Sequence, residues 1–141
     1  MKTTLPAESL RLSALPAAYF IYRLPPEAAL PAALCQAEGG VFCARTAGEV
    51  SLLLPESLPA PENSRREGPW RGFRVAGALD FSLVGVLAGL SQVLAAAGIP
   101  ILAVSTYDTD YLWVPADRWC AARRALLQAG YVFEEDADDG R

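Results

Sequence analysis

The chain has 141 residues, of which 52% are hydrophobic and 20% are charged, and its net charge is −4. This composition predicts one domain, or two small units that share a core, and it excludes the disordered class. The acidity belongs to the tail from Glu134 onward, so the residues before it carry no net charge. A nucleic-acid-binding function is therefore disfavoured.

Cysteine and histidine content argues against metal, thiol and cofactor chemistry. The chain has Cys35, Cys43 and Cys120 and no histidine. Because the cysteines are odd in number and no Cys-x-x-Cys spacing occurs, we expect three packed, reduced cysteines, no metal site and no cofactor. Polar and charged residues interrupt the N-terminal region, so no export signal is expected and the predicted location is cytoplasmic.

The first half of the chain predicts four strands and one helical segment. The strands are predicted at residues 9–13, 18–24, 41–46 and 49–54. The last two flank Ala47-Gly48, which is typical of a hairpin turn. The helical segment is predicted at residues 28–37, in spite of Pro31.

Residues 55–69 form a linker-like stretch that is rich in proline. This stretch predicts two units, residues 1–62 and residues 63–141, the second of which ends in the acidic tail. Arg65 and Arg66 are expected in a solvated loop of the linker. Each unit is near the size at which a single core is marginal, so we expect that neither folds separately.

Residues 81–107 have no formal charge, which predicts an element that is buried on most of its surface. Their length also raises the alternative of a transmembrane helix. Gly98 and Pro100 interrupt the run, and no lysine or arginine closely flanks it, so the membrane interpretation is disfavoured. The soluble interpretation is a helix over residues 84–97, because apolar residues recur at helical spacing and Gly98 can close a helix.

The rest of the second half predicts four strands and a second helix. The strands are expected at residues 73–76, 101–107, 111–114 and, as a last short piece, 131–133. Trp119, Ala122 and Leu126 share a helical face between Asp117 and Gly130. The resulting order is β-α-β-β-α-β, a ferredoxin-like arrangement.

Two motifs of the second half resemble an ACT domain, a small module that binds amino acids. They are the run Phe81-Ser-Leu-Val-Gly-Val86 and the string Ser105-Thr-Tyr-Asp-Thr-Asp110. The chain resembles small stand-alone bacterial ACT proteins, the animal cytosolic arginine sensor of the TOR pathway and, more distantly, the ACT pair of aspartate kinases. Residues 45–49 align with residues 105–109 as a weak internal repeat. The predicted fold class is therefore α+β, with two tandem ferredoxin-like (βαββαβ) ACT units, of which the first is degenerate.

A zwitterionic amino acid needs donors for its carboxylate and a negative group for its ammonium. Backbone N–H groups at a helix start near Val84 suit a carboxylate, and Gly85 would let a ligand approach closely. Asp110 is the candidate partner of the ammonium, with the Thr106 hydroxyl nearby. The ACT family uses these two elements, the loop before the first helix and the strand of the next hairpin, between apposed modules. The candidate ligand-binding residues are Asp80, Phe81, Ser82, Leu83, Val84, Gly85, Ser105, Thr106 and Asp110.

Each polar candidate also has a purely structural interpretation. Asp80 or Ser82 could only cap the helix, Asp108 could be a turn residue, and Asp110 could hold its own hairpin. The tryptophans are expected to be core residues or interface anchors. They are Trp70, Trp113 and Trp119.

The sequence bears on three classes of function: an enzyme, a ligand-binding regulator and a protein-protein interaction module. An enzyme is disfavoured because the chain has no histidine, no glycine-rich phosphate loop and no cluster of metal ligands. The predicted function is a non-catalytic regulatory protein that binds an amino acid or a similar small molecule and acts in trans on an unknown partner. We expect a homodimer, with Trp113 and Trp119 as candidate anchors. The alternative is a protein-protein interaction module without a free ligand.

Overall fold

The computed structural model describes residues 10–37, 39–77 and 83–134. They form two compact units. The first unit runs from Ala17 to Trp70, and the second unit contains the described residues up to Pro16 and from Arg71 onward. These limits differ from the division into residues 1–62 and 63–141, which stays a prediction about domains.

The described residues combine strands with two helices, so the α+β class is confirmed. In chain order the elements are β1 (Arg11–Ala14), β2 (Tyr19–Leu24), β3 (Phe42–Arg45), β4 (Val50–Pro55), β5 (Arg65–Val75), α1 (Val86–Ala96), β6 (Leu102–Ser105), β7 (Asp110–Pro115), α2 (Trp119–Gln128) and β8 (Val132–Phe133). The order from β5 to β8 is the β-α-β-β-α-β order that the sequence predicts. Short 3₁₀ helices lie at Ala32–Gln36 and Ala116–Arg118.

In the first unit, the strand order is β3, β4, β2 and then the first part of β5, and all neighbours are antiparallel. The predicted hairpin of β3 and β4 is confirmed. The predicted helix over residues 28–37 is wrong, because only the 3₁₀ helix at Ala32–Gln36 forms there. Pro31 directly precedes that short helix, and a proline ring inside an α-helix removes a hydrogen bond and clashes with the preceding turn.

The predicted linker is also wrong in its last part. Strand β5 begins at Arg65, and its backbone pairs with that of β2, with Arg65 opposite Arg23 and Arg66 opposite Tyr22. Arg65 and Arg66 are exposed, but they lie in a strand and not in a loop. The pairing is irregular between Tyr19 and Ile21, where Pro69 lies opposite, and such irregularities are where sheets accept proline.

In the second unit, β1 lies between β5 and β8, antiparallel to the first and parallel to the second. Strand β7 pairs with β5 on the other side and with β6 beyond it. Nothing in the local pattern of residues 9–13 indicates this position, since a strand does not encode its partner. The N-terminal strand thus completes the sheet that the second half of the chain builds.

Both helices end on the same capping motif. The N–H groups of Gly98 and Ile99 donate to the carbonyls of Ala95 and Leu94, and the N–H groups of Gly130 and Tyr131 donate to those of Leu127 and Leu126. Gly98 and Gly130 have φ angles of 74° and 103°, in the left-handed region that favours glycine. The predicted stop at each glycine is therefore confirmed, with an apolar residue turned back onto the helix.

The core of the second unit is much the larger. It combines one face of the sheet with the inner faces of α1 and α2, and the predicted helical face of Trp119, Ala122 and Leu126 belongs to it. The first unit has a small core built from Tyr22, Leu24, Val50, Leu52 and Leu54. The difference follows from the helices, since each contributes an apolar face that a short 3₁₀ helix cannot offer.

Two expectations about side chains are corrected. Trp113 and Trp119 are 0% and 9% exposed within the chain itself, so neither is a surface anchor for a dimer. Cys43 and Cys120 are exposed free thiols and not packed ones. Both lie at positions where the alternation of the strand or the helix turns them away from the core.

No helix in the described part of the chain is long and apolar enough to cross a membrane. The transmembrane alternative raised for residues 81–107 is not supported, because the helix that forms there, α1, has only 11 residues. A span needs about 20 residues.

Candidate functional site

The string Ser105-Thr-Tyr-Asp-Thr-Asp110 forms the turn of the β6–β7 hairpin. The N–H and the hydroxyl of Thr106 both donate to the carbonyl of Thr109, at 2.8 and 3.1 Å. The Thr109 N–H lies 3.3 Å from the Thr106 hydroxyl oxygen and donates to it. Thr106 therefore both donates to and accepts from Thr109. Such local side-chain hydrogen bonds are the reason why threonine is favoured at turns.

Ser105 and Asp110 are directly paired where the two strands meet the turn. The Ser105 hydroxyl donates to Oδ1 of Asp110 at 2.6 Å. Asp110 is half-buried and lies on the same face of β7 as Leu112 and Val114, which face the helices. The contact between Ser105 and Asp110 is the one that the hairpin interpretation of Asp110 requires. The ligand-binding role of Asp110 stays a prediction.

Thr109 joins this hairpin to the strand that leads into α1. Its side chain is 6% exposed, and its hydroxyl donates to the Val75 carbonyl at 2.7 Å. Val75 ends β5, two residues before Gly77, whose φ angle is 81°. The tip of the hairpin and the beginning of the β5–α1 connection therefore lie against each other, as the ligand hypothesis needs.

Sequence reasoning missed Thr109, although the residue lies inside the string that it selected. A threonine in a turn is ordinarily exposed, and local pattern does not reveal that its hydroxyl meets a carbonyl from another strand. The same reasoning also passed over Tyr107, which is 82% exposed at the tip of the hairpin. Its position directly before Asp108 in the turn was the only available signal.

Helix α1 begins two residues later than predicted. Gly85 precedes it with a φ angle of 86°, and its carbonyl accepts the first helical hydrogen bond, from the Gly89 N–H at 2.9 Å. As a glycine, Gly85 has no side chain of its own with which to cap this end. The N–H groups of Val86, Leu87 and Ala88 therefore replace those of Leu83 to Val86 as candidate donors to a carboxylate, because they lack partners within the helix.

The left-handed conformation at Gly85 gives this residue a second role. A residue with a Cβ atom adopts such angles only with strain, so the glycine is required for the backbone geometry. The predicted close approach of a ligand does not follow from this fact and stays a prediction. Leu83 and Val84 lie before the helix, where Val84 is 39% exposed.

Three predicted ligand-binding residues, Asp80, Phe81 and Ser82, lie outside the described residues. The choice between capping and ligand binding for Asp80 and Ser82 is therefore open. Among the residues that the structure does describe, no group of three or more His, Cys, Asp or Glu side chains is arranged to hold a metal ion.

The second half of the chain matches a known family. Residues 65–128 match the family model of the ACT domain. This range runs from the first residue of β5 to the last residue of α2, so it contains Thr109, the hairpin turn and the start of α1. No curated protein sequence matches the chain significantly.

Solved structures extend the similarity to most of the chain. Protein Atu0741 from Agobacterium tumefaciens is 30% identical with a TM-score of 0.78, and the match covers 88% of this chain and 91% of that chain. VC0802 from Vibrio cholerae, described as a protein of unknown function and a "Possible Transport Protein", is 18% identical with a TM-score of 0.69, over 89% and 93% of the two chains.

The regulatory subunit of aspartate kinase from Thermus thermophilus, in its ligand-free form, has the same fold. It is 18% identical with a TM-score of 0.60, over 84% of this chain and 96% of that chain. The chain therefore belongs to the same family as the Agobacterium protein, and its residues 65–128 are an ACT domain.

Proposed function

We propose that this protein is a non-catalytic regulator that binds an amino acid or a similar small molecule and acts in trans on a partner protein. The observation that carries the proposal is the hydrogen bond of 2.7 Å between the Thr109 hydroxyl and the Val75 carbonyl. It brings the hairpin turn to the end of β5, from which the loop before α1 begins. The ACT resemblance assigns the ligand to that loop and to the strand of the hairpin.

The chemistry of the two elements supports a zwitterionic ligand. The start of α1 offers backbone N–H groups and the positive end of the helix dipole to a carboxylate. The half-buried carboxylate of Asp110 offers a negative charge to an ammonium. The proposed ligand-binding residues remain Leu83, Val84, Gly85, Ser105, Thr106 and Asp110, together with Asp80, Phe81 and Ser82.

The finer parts of this proposal concern the assembly and the location. The first unit is proposed to be a degenerate ACT-like unit, and two chains are proposed to form a cytoplasmic homodimer with the ligand between apposed ACT domains. Similarity to the aspartate kinase regulatory subunit supports the fold of the chain in this proposal. A cationic amino acid is favoured by Asp80 and Asp110, as the resemblance to the arginine sensor would imply.

A thermal-shift screen of the twenty amino acids tests the proposal. A ligand at about a hundred times its dissociation constant stabilises the native state by about 2.7 kcal/mol. Asp110→Asn should remove most of that shift, because loss of a buried charge-assisted contact typically costs about 2 to 5 kcal/mol of binding. The unliganded variant should melt close to the wild type, since asparagine still accepts the Ser105 hydrogen bond.

Asp108→Asn is the matched control. It removes a carboxylate from the same turn, but Asp108 is exposed, so the ligand shift should be unchanged. A full shift in Asp110→Asn would contradict the assigned role of Asp110. No response of the wild type to any of the twenty amino acids would instead favour the alternative, a protein-protein interaction module without a free ligand.

A further inference from the structure

The two units contain the same hairpin, displaced by sixty positions in the chain. In the first unit Phe42 pairs with Leu53 and Arg45 pairs with Val50. In the second unit the pairs are Leu102 with Trp113 and Ser105 with Asp110. The residue numbers differ by sixty at every paired position, so the internal repeat that the sequence suggests weakly is regular in the backbone.

The turns of the two hairpins have the same hydrogen bonds. The Thr46 N–H donates to the Glu49 carbonyl at 2.9 Å, and the Glu49 N–H donates to the Thr46 hydroxyl at 3.2 Å. Thr106 and Thr109 make the same two contacts, at 2.8 and 3.3 Å. The repeat therefore extends to side-chain chemistry, and a difference between equivalent positions is meaningful.

The difference lies at the residue that ends the first strand of each hairpin. In the first unit, this residue is Arg45. One of its guanidinium nitrogens donates to the Pro26 carbonyl and the other to the Ala28 carbonyl, both at 2.8 Å. Pro26 and Ala28 stand sixty positions before Val86 and Ala88, the first and third residues of α1. Ser105, the counterpart of Arg45, is short, and its hydroxyl donates across its own hairpin to Asp110.

The acid that the ligand hypothesis requires is also missing from the first unit. Its position, sixty residues before Asp110, is occupied by Val50, which is fully buried. The first unit thus has a cation of its own where the second unit has an acid and a short hydroxyl. An incoming ammonium would find no carboxylate at the position equivalent to Asp110, and the carbonyls of Pro26 and Ala28 already have a donor.

We infer that Arg45 is an internal substitute for the ligand: it occupies the first unit's copy of the site, so each chain binds one ligand, in the second unit. This inference rests on the proposed function for the identity of the site in the second unit. The occupation of the first unit by a guanidinium group has its own test, which requires no knowledge of the ligand.

The first experiment removes the guanidinium group and supplies it in solution. Arg45→Ser installs the residue of the second unit and frees two carbonyls, so we expect a melting temperature lower by about 2 to 4 °C. Methylguanidinium chloride at about 20 mM should restore more than half of this loss, whereas methylammonium chloride at the same concentration should not, since it lacks the planar fork of donors.

Arg23→Ser is the matched control. Arg23, like Arg45, donates to a backbone carbonyl, but it makes a single contact of 3.3 Å, with Gly48 in the hairpin turn. Methylguanidinium should not raise its melting temperature. Equal rescue of both variants, or no loss of stability in Arg45→Ser, would overturn the inference that Arg45 fills a site.

The second experiment transfers the arginine. Ser105→Arg should abolish the shift caused by whichever amino acid stabilises the wild type most, while Asp108→Arg, which adds the same side chain at an exposed position of the same turn, should keep most of it. Arg45→Ser should keep the full wild-type shift. A shift that persists in Ser105→Arg contradicts the inference. If no amino acid shifts the wild type, the proposed function fails, and the guanidinium rescue still decides the role of Arg45.

Discussion

The first and second units share one hairpin but differ in what covers it. In the second unit, α1 and α2 pack on the sheet, and 15 buried residues of the described part form one core. In the first unit, the described residues contribute five to the core, and a 3₁₀ helix of five residues lies in the segment that corresponds to α1. The same strands are therefore used once with long helices and once without them.

The difference teaches that a proline decides which unit carries a helix at this place. Pro31 falls in the middle of the segment of the first unit that corresponds to α1, whereas Pro25 and Pro26 fall at its start, where proline is tolerated. Proline lacks the N–H group that an α-helix needs beyond its first turn. The first unit instead fixes this segment to its hairpin through Arg45, whereas the second unit uses helix packing.

The largest effect on stability is expected when β1 is removed from the second unit. A fragment of residues 70–141 lacks the strand that lies between β5 and β8. We expect it to be aggregated or molten, because the backbone groups of β5 and β8 would lose their partners. Cooperative, monomeric unfolding of this fragment, measured by circular dichroism and light scattering, would contradict the assignment of β1 to this unit.

A shortened chain that keeps β1 is the matched control for this fragment. The Leu15 N–H donates to the Gly72 carbonyl at 2.8 Å, so the chain leaves and re-enters the second unit at adjacent positions. Replacing residues 17–70 with Asn-Gly would join β1 to β5 as a hairpin. We expect this shortened chain to unfold cooperatively, in contrast to the fragment of residues 70–141.

Equivalent core leucines measure the contribution of the helices. Leu112 on β7 and Leu52 on β4 occupy matching positions, and both are 0% exposed. Leu112→Ala should cost about 4 kcal/mol and Leu52→Ala about 2 to 3 kcal/mol, because packed helices relax into a cavity less than loops do. Urea unfolding at an unchanged m-value gives both costs, and equal costs would show that the helices add nothing to the rigidity of the core.

The two units also differ in packing on the sheet face opposite to Leu112 and Val114. A Cβ atom on the buried Gly72 would overlap the indole ring of Trp113 on that face. The equivalent residue of the first unit is Leu53. Gly72→Ala should therefore cost about 1 to 3 kcal/mol. In a Trp113→Leu background the same change should cost less than about 1 kcal/mol, and an unchanged cost would assign the effect to the backbone and not to the ring.

The smallest expected effect depends on pH. Burial raises the pKa of Tyr131 above its ordinary value of 10.0, and its hydroxyl lies close to Gly89 of α1. The folded state therefore holds this proton more tightly, so the stability is fully present below about pH 10 and falls as the pH rises further. The loss is at most about 1.4 kcal/mol per pH unit. Tyr131→Phe should lack this component, and identical alkaline profiles of the two proteins would contradict it.

The sequence predicted much of the second unit because its signals are local. Gly98 and Gly130 end helices, the face of Trp119, Ala122 and Leu126 is apolar at helical spacing, and the hairpin turn lies inside its predicted string. Each of these features depends on neighbours close by in the chain. The predicted helix in the first unit is wrong because residues 28–37 have the apolar content of a helix but contain Pro31, which an α-helix does not accept in its interior.

The candidate site was predictable only in part. The turn between two strands was predicted correctly, but the first strand ends at Ser105 and not at Tyr107, because Thr106 forms the turn with Thr109. The contact of Thr109 with Val75 was not predictable, since it joins residues that are 34 positions apart. The role of Arg45 was likewise hidden, because its carbonyl partners are 17 and 19 positions away. Side-chain contacts of this range leave no period or spacing in a sequence.

By itself, then, the sequence determined the α+β class, the hairpin turns, the helix ends and the ACT resemblance of the second half. The tertiary structure alone decided that β1 joins the second unit, that β5 begins at Arg65, and that Trp113 and Trp119 are internal. The physical reason is that caps, turns and amphipathic faces are local properties of the chain. Strand partners and burial are settled only when distant segments compete for the same hydrogen bonds and the same apolar surface.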